Sequence, residues 1–305
     1  MKKSGLEFSF TWLFAVIIGA VIIVLALYAA TKIAGSGGAE TSTAAAKEIG
    51  ILLNPLETSF QQDTTTTLVL PTDTRIYNKC DNFGNFGHQI IQTSQKSFNK
   101  WGELSTEIEF ENKYLFSDDF EGGEVFHIFS KAFDFPFKVA DAIYVTSSDK
   151  RYCFINPPGD VEEELTVLNQ SNLFVNECPE QNMVRVCFDS SDNCDVKVRY
   201  TSGYVEKNST RMYFETDTLM YAAIFSDNKI YECQVKRLIS RAEELASLYG
   251  KKASILSEKQ CSFNTDIRNF EILLGNYADP QDLGILLVKS NQIKQENEDS
   301  PCRLW

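Results

Sequence analysis

The chain carries two histidines, His88 and His127, and eight cysteines. A nucleophile–base pair or a soft-metal site would have to be built from these residue types. His127 lies in the run VFHIF, on the strand face opposite Phe126 and Ile128, and reads as an ordinary sheet residue. His88 follows Gly84-Asn85-Phe86-Gly87 and reads as a polar residue opening a helix. No C-x-x-C spacing and no Cys/His cluster of zinc-finger kind occurs. The glycines match neither G-x-G-x-x-G nor G-x-x-x-x-G-K-[ST], and there is no G-x-S-x-G or H-E-x-x-H. The sequence therefore assigns no catalytic residue, no cofactor-binding residue and no metal ligand, and implies no cofactor.

Carboxylates are the other candidates. Asp118, Asp119, Glu121 and Glu124 cluster at a predicted hairpin. A glycosidase needs two carboxylates at a set separation in a cleft, and an exposed turn is the reading taken. Asp189, Ser191, Asn193 and Asp195 alternate in a second loop, as oxygen ligands for calcium would, but the loop lacks the EF-hand glycine and distal glutamate. Phe133, Phe135 and Phe137 alternate with polar residues and Pro136, so a strand would put them on one face. That face is read as core; its alternative is an exposed row docking a protein or glycan. Asn169-Gln-Ser171 and Asn208-Ser-Thr210 are glycosylation sequons.

The cysteines are Cys80, Cys153, Cys178, Cys187, Cys194, Cys233, Cys261 and Cys302. An even number suggests up to four disulfides in an oxidising compartment. Cys187 and Cys194 sit at the base of a predicted hairpin, MVRVCF and CDVKVRY, and are expected to pair. Cys261 with Cys302 would pin the C-terminal tail.

The compartment comes from the other end. Residues 8–30 contain no charge. As a helix they would span roughly 35 Å, enough for a bilayer core of about 30 Å. Lys2 and Lys3 precede the run, which predicts a cytoplasmic N-terminus, a retained single-pass anchor in the cell membrane and an extracytoplasmic remainder. A cleaved secretory signal has a shorter apolar region. Net charge is -13; residues 1–31 contribute +1 (Lys2, Lys3, Glu7), so the exported part holds -14. That balance argues against nucleic acid as a partner.

The elements that must position these residues are strands first and helices last. Residues 32–63 read as a linker with a stalk helix, 64–232 as a β-rich region and 233–305 as a helical region folded with it. Strands are expected at Thr64–Leu70, Glu107–Phe116, Val125–Phe129, Val139–Thr146, Arg151–Ile155, Leu173–Cys178, Met183–Phe188, Val196–Tyr200, Arg211–Glu215 and Leu219–Phe225. Glu121-Gly122-Gly123 is the turn signal of a hairpin. His88–Trp101 and Asp160–Leu168 are expected helices, the second with a capping box from Asp160 to Glu163. Beyond Cys233 apolar residues recur at three and four, with Gly250 as a stop; Asp266–Tyr277 and Asp282–Lys294 follow as helices. The fold class expected is α+β: a largely antiparallel sheet with C-terminal helices packed on it.

Lys2-Lys3-Ser4-Gly5, followed at once by the apolar run, resembles the leader of type IV pilin-like proteins, including archaeal class III signals. The resemblance implies cleavage after Gly5 and helix–helix assembly through the anchor. It covers a tenth of the chain, and Glu7 stands second after Gly5 where the bacterial pattern has its Glu fifth. The functional expectation is a membrane-anchored envelope protein with a disulfide-braced domain that binds or scaffolds surface proteins or glycans, more a binder than an enzyme. A pilin-like filament subunit and an exported hydrolase of surface polymers are the alternatives.

Overall fold

The computed structural model describes residues 14–30 and 65–305, apart from 85, 98, 180, 181, 191, 192, 260, 262 and 264. Residues 14–30 form helix α1, whose side chains are exposed along almost its whole length. No helix among the described residues is long and apolar enough to cross a membrane. Residues 8–13 of the uncharged run, Gly5, the linker and the stalk helix lie outside the described residues.

The first sheet holds β1 (Thr65–Asp81), β2 (His88–Ser97), β3 (Lys100–Trp101), β4 (Ile108–Phe110), β5 (Tyr114–Phe116), β6 (Phe120–Asp134) and β7 (Lys138–Ser147). Its order is β3-β2-β1-β6-β7-β5, with β4 on β2. β1, β2, β6 and β7 pair antiparallel, and β5 runs parallel to β7. Pro71 falls where the β1–β6 register shifts between Val69 and Thr74, a break at which a residue without an N–H is tolerated. One face of this sheet buries Leu68, Leu70, Ile76, Ile91, Phe126 and Ile128; the other faces the main core.

The second sheet holds β8 (Tyr152–Ile155), β9 (Leu173–Val175), β10 (Val184–Phe188), β11 (Val196–Arg199), β12 (Tyr204–Lys207) and β13 (Thr210–Tyr213), ordered β13-β12-β11-β10-β8-β9. Here three pairings are parallel, β8–β9, β8–β10 and β10–β11. Helix α2 (Gly159–Leu168) supplies the β8–β9 crossover. The class is α+β as expected, but the sheets are mixed rather than largely antiparallel.

Helix α3 (Asp217–Phe225) lies between the sheets, touching strands of both. Residues Thr218 to Phe225 are all buried. The sequence reading made Leu219–Phe225 a strand. A helix buried on every side has no polar stripe, so its apolar run carries no 3.6-residue period to distinguish it from a buried strand. The Thr216 hydroxyl accepts the Leu219 N–H and fixes its start.

Helix α4 (Asn228–Ser257) starts on Asp227, which accepts the Ile230 N–H. It runs straight through Gly250, where a stop was expected; a Cβ there would meet only ordinary contact with Ile267, 3.8 Å away. Helices α5 (Ile267–Gly275) and α6 (Leu283–Asp299) follow, and Pro280 opens a 3-10 turn before α6. The tail then folds back: Leu304 is buried and Trp305 packs on Phe137 and Tyr249.

Four further expectations change. His88–Trp101 is β2 and β3, not a helix: β2 pairs antiparallel with β1 from His88 to Gln95, and Gln89 bonds Asn78 across the pair. Glu107–Phe116 breaks into β4 and β5. Glu121-Gly122-Gly123 is inside β6, paired with Ile76, Arg75 and Thr74. Gly123 holds φ 152°, and a Cβ there would sit 2.7 Å from the Ser147 hydroxyl, so the glycine admits the β7 end rather than making a turn. Finally, α2 begins beyond Pro158 with no side-chain cap, so the Asp160 pattern does not form its box.

Candidate functional site

All eight cysteines are paired: Cys80–Cys233, Cys153–Cys178, Cys187–Cys194 and Cys261–Cys302. Both pairs argued from sequence form, but Cys187 and Cys194 do not brace a hairpin. Strands β10 and β11 are parallel, so residues 189–195 must carry the chain back to the start of β10. That return is shorter than the dozen or so residues a parallel crossover usually takes. The disulfide holds it, Asp189 turns it with a positive φ of 44°, and the Asp195 carboxylate accepts the Arg185 N–H at 2.8 Å. Asp189 and Asp195 are thereby committed to the loop itself, Asp189 to the Thr201 hydroxyl. No group of three or more His, Cys, Asp or Glu among the described residues could hold a metal ion.

Phe133, Phe135 and Phe137 are core, none more than 2% exposed. The docking row set as their alternative is thus corrected. The chain bends at Pro136, and the Phe135 N–H bonds the Phe137 carbonyl, so Phe133 and Phe135 stack while Phe137 meets Trp305. Asn169 and Asn208 of the two sequons are both exposed.

Three constellations bring together residues far apart in sequence. In the first, His127 on β6 bridges Thr67 and Ser171: Nδ1 lies 3.2 Å from the Thr67 hydroxyl and Nε2 lies 3.0 Å from the Ser171 hydroxyl. Burial lowers the imidazole pKa, favouring the neutral ring that can accept from one hydroxyl and donate to the other. The hydroxyl–imidazole–hydroxyl order has the outline of a nucleophile, base and orienting group. A cleft of roughly 370 Å³ lies elsewhere, lined by Tyr200, Gly203, Phe214, Glu215, Thr216 and Asp217. Burial pushes the Glu215 carboxyl up, and Asp217 accepts the Tyr200 hydroxyl at 3.1 Å. Glu215 lies in the β13–α3 connection and Asp217 is the first residue of α3.

The second constellation is a buried polar hub. Arg237 on α4 is 1% exposed. Its guanidinium donates to the carbonyls of Phe86 and Lys113 at 2.8 Å, Glu111 at 2.9 Å and Phe110 at 3.3 Å, and to Gln234 Oε1 at 2.7 Å. The Tyr114 ring lies 4.8 Å from it. Gln234 in turn donates to Gln89 Oε1 and to the Leu115 carbonyl; Gln89 donates to Asn78, and Asn78 to Ser117. Burial lowers the Arg237 pKa to about 10, with Tyr114 and Asp81 opposing, so the group stays charged at neutral pH. Gly87 holds φ +58° beside it, and a Cβ there would strike the Asp81 carbonyl and approach Arg237 Cδ to 3.2 Å.

The third constellation joins Asp118, Glu121, Lys150, Tyr152 and Lys207. Of the acidic residues read as an exposed turn, Glu121 is buried at 3% exposure and Asp118 is about a third exposed. Lys150 Nζ contacts Asp118 Oδ2 and lies 3.7 Å from Glu121 Oε1. Burial raises the Glu121 pKa to about 7, partly offset by the Lys150 charge. Burial alone would lower Lys150, but Tyr152, Glu121 and Asp118 carry its pKa above the usual lysine value. Lys207 donates to the Ser226 carbonyl at 2.8 Å, and burial brings its pKa down to about 8.

None of these clusters has a sequence signature, because each draws on three or more separate segments. No protein-family profile, curated protein or solved structure matches the chain.

Proposed function

We propose that the chain is a single-pass, membrane-anchored envelope protein whose extracytoplasmic, disulfide-braced α+β domain binds or scaffolds other surface components. The observation that carries this reading is the pairing of all eight cysteines, every one of them C-terminal to the uncharged run at residues 8–30. Disulfides form and persist chiefly in oxidising compartments, and the Lys2–Lys3 side of the run is the side retained in the cytoplasm. The acidic domain suits cationic or glycan partners and disfavours docking on anionic lipid beyond the anchor. Carbonate extraction of membranes tests the anchor: the full chain should stay in the pellet, and a chain lacking residues 1–31 should be released. A full chain recovered in the carbonate supernatant would overturn the reading.

A second reading, a pilin-like filament subunit, is favoured by Lys2-Lys3-Ser4-Gly5 ahead of the apolar helix. It requires a mature chain beginning at Leu6, which N-terminal sequencing of native protein decides. A retained Lys2 rejects it.

A further inference from the structure

We propose that Lys150 and Asp118 become joined by an intrachain amide, formed at a site that Glu121 completes. The geometry sets this ion pair apart from the others. Lys79–Glu107 joins two half-exposed groups, and Lys96–Asp73, about as exposed as Lys150–Asp118, brings only one carboxyl to its amine among the described residues. Lys131 contacts Glu164, but that carboxylate is also engaged by the Tyr221 hydroxyl. At Lys150 the amine has two carboxyl groups, one in direct contact and one 3.7 Å away. Glu121 spends Oε2 on the Ser147 N–H at 3.2 Å, while its buried Oε1 has no hydrogen-bond partner. The side of the amine is covered by the Tyr152 ring, whose centroid is 5.5 Å from Nζ. A lysine amine held against one carboxyl, with a second buried carboxyl free on one oxygen, is the arrangement an amide condensation needs.

The step balances without any other reactant. The surrounding groups hold Lys150 as the ammonium, so the step begins with an uphill transfer of one proton to Asp118, which leaves a free amine and a carboxylic acid. The Nζ lone pair attacks Asp118 Cγ and forms the N–C bond. Glu121 takes a second proton from the nitrogen and gives it to the departing hydroxyl, so the C–O bond breaks and water leaves. The third proton stays as the amide N–H, and Glu121 ends as it began. A carboxyl titrating at about 7 suits this relay, since it both accepts and returns a proton near neutrality. Fixing the two groups in one place replaces a bimolecular condensation by an intramolecular one.

The position gives the bond a use. Asp118 lies two residues before β6 of the first sheet and Lys150 two residues before β8 of the second. The amide would clamp the two sheets with a link that no thiol reductant opens. It does not depend on where the protein resides.

Peptide mass spectrometry of the full chain, purified in detergent, reduced, alkylated and digested with trypsin, tests it. The expected result is a branched peptide joining the Asp118 and Lys150 segments, one water lighter than their sum and uncut at Lys150. In Glu121→Gln the branch should be lost and both segments should appear linear. Linear Asp118 and Lys150 peptides from the wild type would overturn the proposal, as would a water lost as a succinimide at Asp118 with the two segments separate. A branch that persists in Glu121→Gln would overturn the part assigned to Glu121. If that variant does not fold, the wild-type digest still decides.

Discussion

Replacing Arg237 by methionine keeps the volume and removes the charge and the fork. Three carbonyls that now accept at 2.8–2.9 Å, those of Phe86, Lys113 and Glu111, then lose their partner in a buried setting. An orphaned buried acceptor costs about 1–3 kcal/mol, and the lower half of that range over three groups gives about 3–6 kcal/mol. For a folded unit of this size such a loss lowers Tm by roughly 10–20 °C. Thermal unfolding of the oxidised protein, followed by far-ultraviolet circular dichroism and tryptophan fluorescence, measures it. Lysine at 237 should recover part of the loss, because an ammonium reaches some of the carbonyls but cannot fork across them. Gly87→Ala should fall on the same side, since its Cβ has no room between the Asp81 carbonyl and Arg237. An Arg237→Met variant within about 1 kcal/mol of wild type would refute the reasoning, because the hub would then be ornament on a fold held elsewhere.

The chain-entropy account of disulfides separates two of the four. Serine at both Cys80 and Cys233, 153 residues apart, should cost about 5 kcal/mol, and serine at both Cys187 and Cys194, 7 apart, about 2 kcal/mol; denaturant titration of the two double variants gives the order. Phe135→Ala should cost about 3–5 kcal/mol as a core truncation, whereas an exposed docking residue would move stability by less than about 0.5 kcal/mol. The His127 imidazole is held below its ordinary pKa by burial, so its stabilisation is present above pH 6.5 and is lost as pH falls. His127→Gln should therefore lose less stability than wild type between pH 7 and pH 5, and parallel pH curves would contradict that assignment.

What could be read from the sequence follows the strength of local periodicity. The last three helices were legible because Val235, Leu238, Ile239 and Ala242 form a one-sided stripe against a polar face. The β-rich middle was legible from β-branched and aromatic runs. Helix α3 was not, because full burial erases its period. The strand through Gly122 and Gly123 was not, because the need for glycine there comes from Ser147, on another strand. The parallel β10–β11 pair was hidden for the same kind of reason: a short loop with two flanking cysteines fits a hairpin equally well until the long-range partner of β10, strand β8, is known. The clusters around His127, Arg237 and Lys150 hydrogen-bond residues separated by up to 151 positions, and no spacing rule reaches that far.

The central claim, an extracytoplasmic disulfide-braced domain behind a cytoplasmic N-terminus, is tested most directly in intact cells. A membrane-impermeant protease should digest the C-terminal domain while a tag placed at the N-terminus stays protected. In the same preparation, a maleimide added without reductant should label no cysteine, and after reduction should label eight. A protected C-terminal domain, or cysteines that label without reduction, would contradict the account.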